Sequence, residues 1–229
     1  MTAVKWLSCT DPEKMLESLL GKASERKMRL FAVACCRRIW HLLTDEASRE
    51  ALQVAEAYAD RLLSVEERQN TWDAAFQVLV RSFQSLTRDS ASRGRSLTAD
   101  DFAAWAASRA LHRSWANVSI YTWQQVRDAV SLTAGAVAAQ TEANEMASLL
   151  RCIFGNSFRP VAVDPAWVTA NVVALAQTVY DNRSIELMPI LADALEDAGC
   201  DNADILNHCR QPGEHVRGCW VVDLVLRKE

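Results

Sequence analysis

Proline is missing between Pro12 and Pro160, and only Gly94 and Gly135 interrupt positions 23–154. A stretch so long without helix breakers, and rich in Ala, Leu, Glu, Arg and Gln, points to helix. No segment alternates apolar and polar residues for long enough to suggest a sheet. Glycine is scarce as well. With seven in the whole chain, backbone cradles for phosphate are few. There is no P-loop, no dinucleotide glycine fingerprint, no His-Glu-x-x-His and no nucleophile elbow. Nor is any apolar run long enough to span a membrane: the segments around Leu30–Leu43 and Cys219–Leu226 are too short or carry charge, and read as buried helices. A charged start followed by an apolar run and a cleavage site is also lacking, so secretion is not expected.

What is present suits a globular protein. Half the residues are apolar and 24% are charged, which argues against disorder. Eight tryptophans are spread from Trp6 to Trp220, as core anchors would be, rather than gathered into one platform. Seven cysteines form an odd set without regular spacing, and Cys35 and Cys36 are vicinal. That favours reduced thiols and a cytoplasmic location over a disulfide framework. Residues 1–95 carry 15 basic and 13 acidic side chains (+2), and residues 96–229 carry 10 and 16 (−6). Neither balance suits a nucleic-acid binder. The most basic stretch holds Lys22, Arg26, Lys27, Arg29, Arg37 and Arg38 against Glu25, and reads as a solvated helix face.

Capping signals divide the chain. Asp11-Pro12 opens a helix that Gly21 closes, and Ser24 caps a second one running to about Leu43. Thr44 caps a third, Ser64 with Glu67 opens a fourth, and Thr98 with Asp101 opens a fifth. The segment Arg88–Ser96 reads as an exposed loop. Thr122 with Gln125 opens a long helix ending near Gly155, and Asp164-Pro165 repeats the opening signal. Pro189 starts a helix that Gly199 closes, Asp201 caps one reaching Arg210, and the last helix carries Trp220 to Leu226. The expectation is an all-α, irregular multi-helix bundle of about eight or nine helices. It would form an N-terminal part, 1–155, and a C-terminal part, 156–229, or one continuous domain, with the joint at Gly155–Val163.

Thiols and imidazoles concentrate near the C-terminal end: Cys200, His208, Cys209, His215 and Cys219. Such residues bind zinc when they converge to roughly 2.0–2.3 Å from one ion. Helix geometry trims the set. Cys200 and His208 lie about 12 Å apart along a helix axis, and neighbours such as His208 and Cys209 point about 100° apart. The metal candidates that survive are His208, His215 and Cys219, across one turn. The alternative for them is a buried thiol and two histidines bonded to turn carbonyls.

Other constellations are weaker. Arg210 and His215 have the Arg-x4-His spacing of the paired motif in helical HEPN ribonucleases, which implies a histidine assisting a ribose hydroxyl and an arginine on the phosphate. Here Pro212-Gly213 replaces the helical setting of that motif. Cys35-Cys36-Arg37-Arg38 with His41 and Asp45 suggests an activated thiol, but Phe31, Cys35, Ile39 and Leu42 read as core, with Arg37, His41 and Asp45 as a surface stripe. Asp193, Glu196 and Asp197 could do acid–base work, but no histidine or ligand set accompanies them, and they read as a solvated face.

Two passages carry a resemblance. One is WLSCTDPEKMLESLLGKASERKMRLFAVACCRRIWHLL, residues 6–43. The other is IFGNSFRPVAVDPAWV, 153–168, with PILADALEDAGCDNADILNHCRQPGEHVRGCWVVDLVL, 189–226. Together they resemble a paralogue-rich family of uncharacterised bacterial proteins. The resemblance implies a bacterial cytoplasmic protein and carries over no catalytic residue. Function is therefore expected to be that of a helical protein-interaction or regulatory module without catalysis of its own. Its expected partner is another protein, neither nucleic acid nor membrane. The alternatives are a zinc-binding protein using the C-terminal cluster, zinc being the one cofactor suggested, and a HEPN-like ribonuclease.

Overall fold

Short polar side chains that accept backbone N–H groups mark where most of the helices begin. In the computed structural model, residues 1–88, 98–112 and 118–228 are described. Eleven α-helices and no strand occur among them: α1 (Ala3–Ser8), α2 (Pro12–Leu19), α3 (Glu25–Arg38), α4 (Glu46–Ala59), α5 (Val65–Arg88), α6 (Ala99–Ala110), α7 (Val118–Phe154), α8 (Ala170–Asn182), α9 (Met188–Asp197), α10 (Ala203–Arg210) and α11 (Trp220–Leu226). The all-α expectation holds, and the count of eight or nine is too low. Helix α1 is six residues long and has no proline or glycine at its ends; only its Thr2 cap signals it.

Several caps are as read from the sequence. Asp11 accepts from the Glu13 and Lys14 amides. Ser64 and Glu67 bond reciprocally, and so do Thr98 and Asp101. Elsewhere the cap is shifted. Asp45, not Thr44, caps α4, and Asn202, not Asp201, caps α10. Asp164-Pro165 opens a 3-10 turn, after which Thr169 caps α8. Helix α7 is already under way at Val118, before Thr122, and Gly135 breaks its helical geometry at φ 82°. Of the expected loop Arg88–Ser96, residues 89–96 lie outside the described ones. No helix is long and apolar enough to cross a membrane among the described residues.

The chain divides into two compact units. The first comprises Thr10–Met146, and the second joins Met1–Cys9 to Ala147–Glu229. The division falls inside α7 rather than at 155/156, because residues 1–9 dock on the chain beyond residue 147. Trp6 is fully buried, and its indole N–H donates to the Gly155 carbonyl at 2.7 Å. Arg151 donates to the Cys9 carbonyl at 2.9 Å, satisfying backbone just past the end of α1.

Unit 10–146 packs α3 against α4 and α6, and α4 and α6 against α5. Alanines 103, 104, 106, 107 and 110 bury one side of α6, a surface small enough for close approach. The basic stretch of α3 is not the solvated face expected of it. Arg29 is 1% exposed, donates to the Ala110 and His112 carbonyls at 2.6 and 3.3 Å, and pairs with Glu25. Arg68 donates to the Leu111 carbonyl at 2.6 Å, and both guanidiniums stack on the Tyr58 ring. Two arginines thus serve the carbonyls left over at the end of α6, where helix geometry supplies no donors.

Unit 1–9 and 147–229 packs α8 on α9 and α11, and α10 on α9 and α11. Its core runs from Cys152 through Val172, Ala176, Leu191 and Leu195 to Val222. Cys200 and Cys209 belong to this apolar core.

Candidate metal centre

Three local structures bring four donors to one point. Cys152 lies in the last turn of α7, which stops at Gly155 in the left-handed region (φ 59°). A Cβ on Gly155 would sit 3.0 Å from Trp220 Cγ, so the missing side chain admits the indole at the start of α11. That contact brings the end of α7 to Cys219, the residue preceding α11. Helix α10 ends at Arg210 after presenting His208, and the turn that follows carries His215 back.

The four side chains are Cys152, His208, His215 and Cys219, with one ligand atom of each lying within 4.8 Å of all the others. His208 Nε2 is 3.2 Å from Cys219 Sγ. His215 Nδ1 is 3.8 Å from Cys152 Sγ and 3.9 Å from Cys219 Sγ. In a tetrahedral zinc site with bonds of about 2.0 and 2.3 Å, neighbouring donors stand roughly 3.3–3.8 Å apart. The contacts bracket that range. Both imidazoles are 7% exposed and both thiols 2%, so the group is closed to solvent. The two rings meet edge to face, 4.9 Å between centroids, and His208 also lies against Trp220.

The thiols divide their proton unequally. Burial opposes ionisation of Cys219, but hydrogen bonds from Cys152, His208 and His215 outweigh it and hold that thiol well below its ordinary value of 9.0. Cys152 goes the other way, pushed up by its hydrogen bond to Cys219 and then by burial. Ionisation is therefore favoured at Cys219 and opposed at Cys152.

A cysteine sulfur beside an imidazole, with Gln211 behind that imidazole at 3.0 Å, is also the arrangement of a cysteine nucleophile. A nucleophile must be reached by its substrate, however, and Cys219 is covered on every side. The second thiol and second imidazole, idle in such a mechanism, are both needed for a metal.

All three metal candidates read from the sequence meet here, and Cys200 and Cys209 do not join them. Both histidines turn to thiols instead of turn carbonyls. Cys152 was missed. It precedes His208 by 56 residues and occupies an apolar helix face, where a buried cysteine is ordinary.

The other candidates take separate places. Arg210 pairs with Asp193 and Glu196 at 2.6 and 2.5 Å, and these bonds raise its pKa. The two acids are thus partners of an arginine, not only a solvated face, and Arg210 and His215 share no partner. Helix α3 ends at Arg38 and a 3-10 turn follows, so Arg37, His41 and Asp45 form no stripe: Arg37 grips Glu56 through two bonds of 2.9 Å, and Asp45 caps α4. Cys35 and Cys36 are fully buried, and burial pushes both thiols up.

No protein-family model, curated protein or solved structure matches this chain.

Proposed function

We propose that the unit formed by residues 1–9 and 147–229 holds one zinc ion through Cys152, His208, His215 and Cys219. The zinc is structural, and the protein acts as a helical module that binds another protein and has no catalysis of its own. The observation that carries the reading is the convergence of four buried donors within 4.8 Å from three separate parts of the chain. Two thiols and two imidazoles make a borderline-soft set that suits zinc and disfavours calcium or magnesium. Two thiolates also neutralise a divalent charge, which a dry site requires. Catalytic zinc keeps one position open, whereas four protein donors fill a tetrahedron. The absence of disulfides among the seven cysteines supports a reducing, cytoplasmic setting.

Elemental analysis of protein purified without a histidine tag tests this. One zinc per chain is expected, falling sharply in His215→Ala. Substoichiometric metal that His215→Ala leaves unchanged would overturn the metal reading. Turnover of a small molecule or RNA by the purified chain would overturn the non-catalytic one. The HEPN-like alternative gains nothing from geometry, since the charge of Arg210 is already matched by two carboxylates.

A further inference from the structure

We infer that Gln211 is a positioning residue for the metal, fixing which nitrogen of His208 is offered to it; this rests on the zinc reading above. Residue 211 ends α10, its amide donating to the Asn207 carbonyl at 2.8 Å, which holds its backbone against the last turn. His208 sits in that same turn, and the Gln211 side-chain amide is hydrogen-bonded to His208 Nδ1, 3.0 Å away. The other ring nitrogen, Nε2, faces Cys219 Sγ. The bond at one imidazole nitrogen decides what the other can do.

An amide presents either NH2 or oxygen to the same point after a half-turn. With its NH2 toward the ring, Nδ1 must accept and Nε2 carries the proton, which points to Cys219 Sγ. With its oxygen toward the ring, Nδ1–H donates and the Nε2 lone pair is free for a metal. Gln211 can thus serve both states of His208, and rotation of its amide accompanies metal entry. Its exposed position leaves room for that rotation, whereas a packed backbone carbonyl would permit only the metal-binding tautomer. His215 lacks such a partner: its Nε2 is buried without a hydrogen bond. The two imidazoles are therefore unequal: the far nitrogen of His208 has an outer partner, and that of His215 has none among the described residues.

The test is zinc affinity, by competition against a chromophoric chelator, in the full chain and in Gln211→Ala and Gln211→Glu. Outer partners of metal-bound histidines are worth about 10–100-fold in affinity. Gln211→Ala should weaken zinc binding by that order, and Gln211→Glu, which keeps an acceptor, should bind at least as tightly as the parent. Nitrogen chemical shifts of His208 in the zinc-loaded parent should show Nε2 bound and Nδ1 protonated, with the Nδ1 proton exchanging faster in Gln211→Ala. A parent that binds zinc, together with a Gln211→Ala chain of unchanged affinity or a His208 bound through Nδ1, would overturn this inference alone. A parent that binds no zinc would overturn both readings.

Discussion

Cys152 Sγ stands 3.8 Å from His215 Nδ1, although 63 positions of chain separate the two residues. Of the four clustered side chains, Cys152 alone comes from outside the C-terminal turn. It ties the end of α7 to the segment between α10 and α11, so it should be the residue that turns a local His-His-Cys arrangement into a closed one.

Cys152→Ser should therefore lower bound zinc well below one per chain and lower the melting temperature. Cys200→Ser is the matched control. Cys200 is buried in the same core but outside the group, so this variant should lose stability and keep its zinc. Metal analysis alongside thermal unfolding checks the pair, and equal zinc loss in both would count against the four-residue assignment.

Gly155→Ala should destabilise by about 2 kcal/mol, since a left-handed backbone costs a residue with a Cβ roughly 1–2 kcal/mol and crowding adds to it. The new methyl would meet Trp220 at 3.0 Å. Because Trp220 lies 5.4 Å from His208, between ring centroids, zinc affinity should fall as well. Chemical denaturation and chelator competition on the same variant read both effects.

In the other unit, Arg29→Leu should cost about 3 kcal/mol, leaving the Ala110 and His112 carbonyls without their donor. Burial pulls the Arg29 pKa down, yet the bond to Glu25 opposes that and its guanidinium remains the donor. Arg29→Lys should recover only part of the loss, because an ammonium lacks the planar fork that reaches two carbonyls. Urea midpoints at constant slope measure both variants.

Asp11→Asn should show a pH-dependent loss. The Asp11 carboxyl lies below its ordinary value of 3.8, first through its side-chain bond with Lys14 and against a smaller opposing effect of burial. A lowered carboxyl pKa contributes stability that is complete above the unfolded value and is lost as pH falls through the folded one. The gap between parent and Asn variant should therefore be constant from pH 7 to 5 and shrink below 3.8. Half-exposure and solvent screening keep it under about 1 kcal/mol. A gap that widens in acid would contradict the assigned direction.

The helical class was legible because breakers are so few and the caps so regular; Asp11-Pro12, Ser64 with Glu67, and Thr98 with Asp101 each work locally, within one turn. What depended on distant chain was not legible. Arg29 reads as a surface cation until the end of α6 needs donors. Cys152 looks like one more apolar helix residue until Gly155 admits Trp220. The sequence-based trio His208, His215 and Cys219 lay within one turn, and helix geometry could sort it. Its fourth member required the tertiary fold.

The bond from Trp6 to the Gly155 carbonyl spans 149 positions and has a consequence in time. During synthesis at about 5–20 residues per second, Trp6 waits roughly seven to thirty seconds for its acceptor. The unit 10–146 emerges whole within that interval and can fold as a looped-out insert. Cys219 follows Gly155 by 64 positions, so the four-donor group can be completed only after that bond. A zinc ion bound there would fasten a unit whose two pieces lie on either side of residues 10–146 in the sequence.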